Sequence, residues 1–532
     1  MTDPLEREII RKALEYVCEE MGAHLRRSAF SPNIRERWDF SCALYDSEGE
    51  LIAQAEHIPV HLGSMRWAVR AVLDRYDPSE MKPGDAFLTN DPYRGGTHLP
   101  DMTVVVPTFV DGEPLAFAAV RAHHADVGGS VPGSMPHDAE DVYSEGLRIP
   151  PVKIADAGEP VEEIFEIIEA NSRGGRERRH DLRAQLEAAR KGAEGVRAIV
   201  DEHGRDAFEG AVEWAKDYAE GRMRKALEEL PDGVYEGSDV LDGDGVTVDP
   251  VEIKVSVEVK GDEVTVDFEG TSEQRPGPVN APLPVTWSAV LFVFKSVLDP
   301  EGPVTEGVYR PITVRAPEGT VVNPKPPAPV CAGNVETSQR IVDALLDALR
   351  DAVPELPAHS HGSMNNVALG GGDFAYYETV GGGAGAGPSG DGESGVHVYM
   401  TNTANTPVEH VEREYPIRVI EHTLRRGTGG DGGHKGGDGI VKRYLALERC
   451  RATVIGDRVM TAPRGAEGGS PGKTARYRVE RRDGDVEELG PKDSTVLEPG
   501  DVLVVETAGG GGYLEPPGRR RRKGGKGKTR GP

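Results

Sequence analysis

The residues best suited to chemistry fall in two stretches, NDPYRGGTHLPD at 90–101 and RAHHADVGG at 121–129. His98 and Asp101 lie on a turn that enters an apolar run, and His123 ends another. Neighbouring strand ends would bring such side chains together. Zn²⁺ and Mn²⁺ accept imidazole and carboxylate ligands together, and an open coordination position lets a bound water ionise near neutral pH. The pattern predicts a hydrolytic metal site.

An earlier carboxylate, Asp39, stands between Trp38 and Phe40 at the predicted start of a strand. A carboxylate among such neighbours needs a partner, and a metal would supply one. Each candidate also has a structural explanation, because His98 could cap a turn, Asp101 could start a strand and His123 could be a hydrogen-bonded core residue. Taken together, the four residues favour a metal.

The elements that must position these residues follow from periodicity. Apolar residues at helical spacing predict an opening helix over 5–25, and 39–150 reads as sheet plus loops. The stretch 160–230 predicts two or three helices. Alternating residues over 251–268, with Gly261-Asp262 at the turn, predict a hairpin. Further helices are expected near 285–298 and 336–352, before a glycine-rich, strand-like remainder.

The fold class expected from this order is α+β, with several lobes, mixed sheets, a helical lobe and a glycine-rich C-terminal half that contains strands. A chain of 532 residues is too long for one hydrophobic core. The expected division is a metal-site region at 1–155, a helical lobe at 156–232, an α/β region with the hairpin at 233–360, a glycine-rich β region at 361–515 and a basic disordered tail at 516–532.

Composition restricts the functional classes. The net charge of −27 opposes nucleic-acid binding, although residues 519–532 carry eight Lys or Arg and no acid. No apolar run is long enough to span a membrane and no leader is recognisable, so a cytoplasmic location is expected. The four cysteines are far apart, which favours neither disulfides nor a zinc knuckle.

The familiar nucleotide and hydrolase signatures are missing or lack the strand that should precede them. GGSPGKT at 468–474 has Glu467 where a phosphate loop needs glycine, and no apolar strand immediately precedes it. The other glycine-rich stretches lack a strand–turn–helix setting, so ATP is expected to bind elsewhere. His-Glu-x-x-His does not occur, and Gly-x-Ser-x-Gly occurs only as GGSPG at 468–472, where no apolar strand precedes it as a nucleophile elbow requires. Metal-assisted attack is therefore the expected hydrolytic route.

Several motifs, in order, resemble the hydantoinase B/oxoprolinase family. They include SPNIRER, AEHIPVHLGSM, NDPYRGGTHLPD, HHADVGG, AGNVETSQRIVD, YYETVGGGAGA and TNTANTPVEH, and the resemblance spans about residues 3–513. It implies one divalent metal, zinc or manganese, with ligands at positions that correspond here to Asp39, His98, Asp101 and His123.

The resemblance also implies a function and a partner. In such enzymes a hydantoinase A-like subunit that resembles sugar-kinase-type ATPases is thought to use ATP to phosphorylate the ring carbonyl of a small cyclic amide. The B-type subunit would then hydrolyse the activated lactam or hydantoin in an A2B2 or larger assembly. The alternatives are an alpha-type subunit of an ATP-dependent ketone carboxylase and a non-catalytic assembly subunit.

Other polar residues of the motifs are candidates for the pocket. His57, His61 and Arg121 are expected to bind substrate, and His124 and Asp126 to carry protons in catalysis. Structural roles for these five residues are equally compatible with the sequence.

Overall fold

A computed structural model describes residues 3–371 and 374–516 of the chain. The predicted basic tail therefore lies outside the described residues, apart from Pro516. The helices of the described part are α1 (Pro4–Ser28), α2 (Pro32–Arg35), α3 (Pro59–Arg75), α4 (Glu162–Asn171), α5 (Gly175–His203), α6 (Arg205–Glu228), α7 (Leu283–Leu298), α8 (Ser338–Leu349) and α9 (Val408–Glu414).

The strands of the first half form two sheets. They are β1 (Phe40–Asp46), β2 (Leu51–Gln54), β3 (Ala86–Thr89), β4 (Asp101–Val110), β5 (Glu113–His123), β6 (Val152–Asp156), β7 (Glu159–Pro160), β8 (Gly233–Leu241), β9 (Val251–Lys260), β10 (Glu263–Asp267) and β11 (Ile312–Arg315). The first sheet has the order β2-β1-β5-β4-β3-β6-β7, and the second has the order β11-β10-β9-β8.

Two more sheets follow. Their strands are β12 (Asn366–Gly371), β13 (Phe374–Glu378), β14 (Ile417–Arg425), β15 (Gly439–Ala446), β16 (Cys450–Ile455), β17 (Arg476–Glu480), β18 (Val486–Leu489), β19 (Lys492–Leu497) and β20 (Val502–Glu506). One sheet runs β13-β12-β16-β19 and the other β14-β15-β20-β17-β18. Separate sheets and helices in one chain confirm the predicted α+β class.

The seven-stranded sheet is covered on both faces because its side chains alternate. On β1, Cys42 and Leu44 pack with α1 and α5 in one core, whereas Ala43 and Tyr45 pack with α3 in another. The second core continues into the β8–β11 sheet and helices α6, α7 and α8. The first sheet and the middle of the chain are therefore joined by shared apolar packing.

Several predicted elements are confirmed and one was missed. The opening helix, the three helices of 160–230 and the antiparallel β9–β10 hairpin are present. The prediction of sheet plus loops over 39–150 was wrong for α3, whose buried Met65, Val69 and Val72 carry a helical spacing inside a mainly β segment.

The glycine-rich segments 381–387, 429–437, 465–472 and 509–512 lie against one another, and we call them the glycine lattice. Their peptide groups bond laterally, as in Gly437 N to Ala384 O (2.8 Å) and Gly510 N to Gly437 O (2.9 Å). A Cβ on Gly510 would stand 1.9 Å from Ala384 O, and one on Gly383 would stand 1.9 Å from Gly437 O. Glycine is needed here because backbones, not side chains, form the contact.

Within the described residues, no helix is both long and apolar enough to cross a bilayer.

Candidate metal centre

The ends of three adjacent strands bring Asp39, His123 and Asp101 into one row. Asp101 pairs with His123 across β4 and β5, so both side chains share a face of the sheet. Phe40 pairs with Ala122 across β1 and β5, and the His123 amide donates to the Asp39 carbonyl at 3.0 Å. Strand register therefore places Asp39 beside His123.

Two further histidines close the cluster. His98 reaches it from the tight turn before β4, with Nε2 3.0 Å from Asp101 Oδ1 and 3.2 Å from His123 Nδ1. His123 Nδ1 is 3.2 Å from the same Asp101 oxygen. Helix α3 places His61 Nε2 3.5 Å from Asp101 Oδ1 and 3.8 Å from Asp39 Oδ1. Three of the four predicted ligands, His98, Asp101 and His123, thus meet in one buried place, and Asp39 adjoins them through His61.

Hydrogen bonds from outside the cluster direct the lone pairs of His98 and Asp101 inward. His98 Nδ1 lies 3.2 Å from the Cys331 carbonyl, which can only accept, so a neutral His98 carries its proton there and leaves Nε2 free as a ligand. Asp101 Oδ2 accepts from Thr97 Oγ1 (2.7 Å) and Asn334 Nδ2 (3.2 Å), which leaves Oδ1 for the cluster. This set of donor atoms fits a divalent cation of the zinc or manganese type.

Charge and burial shift the pKa values of the cluster. Burial acts to raise the pKa of Asp101, but His98, His61 and His123 outweigh it and hold that pKa well below its usual range. Burial acts to lower the pKa of His98, but the Asp101 carboxylate raises it overall. For His123, burial prevails and the pKa is lowered. An anionic carboxylate facing imidazoles is the state that binds a metal.

The cluster is most open at Asp39. The Asp39 side chain is 10% exposed, whereas that of Asp101 is fully buried. Trp38, its chain neighbour, has φ of 59° and an indole that is exposed to solvent beneath the Arg26 guanidinium. A bulky residue in the left-handed region is strained and persists only where its surroundings hold it. The strained turn fixes Asp39 at the mouth of the site.

Residues that the sequence analysis did not select support the cluster. The Tyr377 ring stacks on His123, with centroids 4.5 Å apart, and its hydroxyl donates to Asn366 Oδ1 at 2.6 Å. The buried Arg37 places Nη2 3.5 Å from Asp39 Oδ2. Both residues occur in the motifs SPNIRER and YYETVGGG, but only the tertiary fold shows what they contact.

The other predicted substrate residues lie away from the metal cluster. His57 Nδ1 accepts from the Cys42 amide at 3.1 Å, and burial lowers the pKa of His57 to about 4. Arg121 occupies the next row of the same face and donates to Thr103 Oγ1 (2.8 Å) and Ser64 Oγ (2.5 Å). Burial lowers the pKa of Arg121, whose Nη2 has no hydrogen-bond partner within the described residues.

The two predicted proton carriers are not brought to the cluster. His124 follows His123 in an extended chain and therefore faces α5, where Nε2 lies 2.6 Å from Gln185 Oε1. Burial lowers the pKa of His124 to about 4. The Asp126 carboxylate accepts from the amides of Gly128, Gly133 and Arg173 and from the Arg173 guanidinium. Their contacts are those of structural residues.

A second buried group, Asp239, Asp343 and His359, also has the composition of a metal site. There the positive charge is already present. Arg458 Nη2 lies 2.6 Å from Asp239 Oδ2 and 2.9 Å from Asp343 Oδ2, and Arg340 Nη1 lies 2.9 Å from the same Asp343 oxygen. Guanidinium groups replace a metal in this cluster, which we read as an ion-pair network that joins β8, α8 and the C-terminal half.

Comparison with known proteins identifies relatives along the whole chain. The profile of the hydantoinase B/oxoprolinase family matches residues 3–516. Arabidopsis thaliana 5-oxoprolinase 1 is 35% identical over 531 residues, 96% of this chain but 42% of that protein. A Pseudomonas protein assigned as the B-type subunit of a D-/L-hydantoinase is 33% identical, over 92% of this chain and 85% of its own. The chain thus spans less than half the length of the 5-oxoprolinase.

Solved structures share the fold. The ATP-dependent caprolactamase of Pseudomonas jessenii superposes with a TM-score of 0.89 at 28% identity, covering 98% of this chain and 92% of that one. Acetone carboxylase also gives 0.89, at 18% identity, over 97% of this chain and 76% of that one, which shows a shared fold alone. From these matches and the residues above, the chain belongs to the hydantoinase B/oxoprolinase family.

Proposed function

We propose that this chain is the B-type subunit of an ATP-dependent cyclic amidohydrolase of the 5-oxoprolinase/hydantoinase type. It would open a lactam or hydantoin ring, activated by its partner, at one zinc or manganese ion held by Asp39, His98, Asp101 and His123. The observation that carries the proposal is the convergence of His98 Nε2, His123 Nδ1 and Asp101 Oδ1 within 3.2 Å of one another, in a chain of this family.

The chemistry of the reaction explains why such a cluster is useful. Amide resonance makes the ring carbonyl a poor electrophile, so phosphorylation of its oxygen by the partner, at the expense of ATP, would activate it. A divalent cation in this place supplies Lewis-acid polarisation and lowers the pKa of water. The buried position keeps an activated substrate from bulk water.

The protein groups around the cation have separable tasks. Asp101 and Asp39 bring negative charge, and Thr97 and Asn334 fix the orientation of Asp101. His61 faces two carboxylates and is the imidazole that we assign to proton transfer. His124 and Asp126 keep the structural roles that their hydrogen bonds support.

A partner subunit is supported by the relatives. One relative is assigned as the B-type subunit of a hydantoinase, and the plant 5-oxoprolinase has more than half of its length outside the matched region. We propose that the missing part corresponds to a hydantoinase A-like ATPase and that the two assemble as A2B2 or a larger complex.

The test is reconstitution with an A-type partner. The purified complex is assayed for ATP hydrolysis that depends on hydantoin, 5-oxoproline or caprolactam, and for the ring-opened product. Asp101→Asn is expected to lose metal and ring opening. Asp126→Asn, at an equally buried aspartate outside the cluster, is the matched control and is expected to keep its metal. Full activity and metal content in Asp101→Asn would rule out the assignment.

The same preparation tests the two alternatives. A ketone carboxylase would incorporate labelled bicarbonate into acetone or acetophenone with ATP, and a non-catalytic assembly subunit would purify without a transition metal. Incorporation of bicarbonate without ring opening would replace the proposal with the first alternative.

A further inference from the structure

A π-helical turn, Gly333–Thr337, leads directly into α8 beside the metal cluster. The Ser338 amide bonds to the Gly333 carbonyl, five residues back. Five residues along a regular α-helix are rotated by about 140° from one another. The π turn instead brings residues at this spacing toward the same side, and such turns occur often at functional sites. Asn334 and Gln339 have this spacing.

Both carboxamides are buried and have a fixed orientation. The Asn334 amide donates to Asp101 Oδ2 (3.2 Å), and the Gln339 amide donates to the Val398 carbonyl (3.2 Å). A carboxylate oxygen and a carbonyl can only accept, so neither carboxamide can be flipped without placing two acceptors against each other. The position of each side-chain oxygen is thereby settled.

The two oxygens have no partner among the described residues. Asn334 Oδ1 and Gln339 Oε1 are each buried without a hydrogen bond, in residues that are 2% and 0% exposed. Unpaired buried acceptors are uncommon in folded proteins and each calls for an explanation. Asn334 lies on the π turn and also holds Asp101, and Gln339 lies in the first turn of α8. Two neutral acceptors so placed point to a ligand that brings hydrogen-bond donors.

We propose that Asn334 and Gln339 are the substrate-recognition residues of this site, with side-chain oxygens that accept hydrogen bonds from ring N–H groups of the cyclic amide. This inference rests on the proposed function and specifies the substrate class as rings that retain a free N–H. Neutral acceptors suit an amide N–H because they require no counter-charge away from solvent. The proton is shared in a hydrogen bond and is not transferred.

The test measures binding, not turnover. The metal-loaded complex with its A-type partner, without ATP, is titrated calorimetrically with hydantoin, which has two ring N–H groups, and with 1,3-dimethylhydantoin, which has none. A second pair is 2-pyrrolidone and N-methyl-2-pyrrolidone. The wild-type complex is expected to prefer the N–H form of a pair by at least about tenfold in Kd, or about 1.4 kcal/mol.

A variant separates recognition from simple crowding by the methyl groups. Gln339→Met keeps the length of the side chain and removes the acceptor, so the Kd for the N–H ligand should rise about tenfold and that for the methylated ligand should stay within about twofold. Gln185→Met is the matched control, because Gln185 is equally buried but lies on α5, on the other side of the sheet. It should leave both Kd values unchanged.

The outcomes decide between the two proposals. Equal effects of Gln339→Met on both members of each pair, or no preference for the N–H form in the wild-type complex, overturn the recognition role. If either of those results is found and the wild-type complex still opens the ring, the recognition role is wrong and the proposed function is retained. N–H-dependent binding with no ring opening in the presence of partner and ATP supports the recognition role and overturns the proposed function.

Discussion

His123 and His124 are neighbours in the chain with opposite surroundings, which provides an internally controlled experiment. Replacing His123 with Ala removes a nitrogen that lies 3.2 Å from both Asp101 Oδ1 and His98 Nε2. Replacing His124 with Ala removes a ring that faces Gln185 on the other side of the sheet. We expect only the first variant to lose its metal.

The magnitudes follow from these contacts. Loss of a residue that merely supports a ligand costs about 10- to 100-fold in metal affinity, so loss of a direct ligand should cost more than about 100-fold in Kd. That factor corresponds to about 2.8 kcal/mol. His124→Ala instead leaves Gln185 Oε1 unpaired in the core, which should lower the free energy of unfolding by about 1–3 kcal/mol.

Two measurements separate the effects. Elemental analysis after dialysis against a graded chelator gives the metal content and relative affinity, and urea unfolding at fixed metal concentration gives the stability. If His124→Ala, while folded, lost metal as readily as His123→Ala, His123 would not be a metal ligand. Retention of one full equivalent of metal by His123→Ala would be equally damaging.

Three other changes have expected results. Burial, reinforced by the nearby Asp457, raises the pKa of Glu336 to about 8. Between about pH 4.5 and 8 the native state therefore holds a proton that the unfolded state has released, so the free energy of unfolding should fall as the pH rises. Glu336→Gln should make this fall less steep, as measured by the urea midpoint at each pH. Gly510→Ala should destabilise the protein by more than about 2 kcal/mol in urea unfolding, because no room exists for a Cβ. Lys442→Met removes the ammonium group that pairs with the buried Glu378 carboxylate. It should lower the free energy of unfolding by about 3–5 kcal/mol in the same measurement.

Each change has a matched control. Glu355, an exposed glutamate, can be changed to Gln and should keep the wild-type pH slope. Gly221→Ala places a Cβ in open space on α6 and should stabilise the protein by about 0.5–1 kcal/mol. Arg476→Ala breaks an ion pair that is half exposed and should cost less than about 1 kcal/mol. Equal losses in a variant and its control would contradict the corresponding argument.

Local sequence patterns predicted many of the helices and strands. The opening helix and the β9–β10 hairpin were predictable because one has helical and the other alternating periodicity over many residues. Even so, Leu5 and Ile9, two of the apolar residues whose helical spacing predicts α1, are exposed, while Ile10 is buried. The helix had a recognisable period, but its rotation depends on what packs against it.

The candidate site was predictable in part for a related reason. Strand ends explain why Asp101 and His123 could meet, but the sequence does not give the register that pairs them or the strand order that adds Asp39. His61 entered the cluster through α3, the helix that was missed. Tyr377 lies more than 250 residues after His123, and its stacking on that ring exists only after the sheets assemble.

In the C-terminal half, the glycine lattice is stabilised mainly by contacts between backbones. Its segments bury peptide groups against peptide groups, as Gly437 and Gly510 do, with little hydrocarbon between them. Exposure of polar surface lowers the heat-capacity change of unfolding, and apolar surface raises it. This region should therefore add little to the heat-capacity change of unfolding. Its contribution to the free energy of unfolding should persist at low temperature, where the contribution of hydrophobic cores decreases.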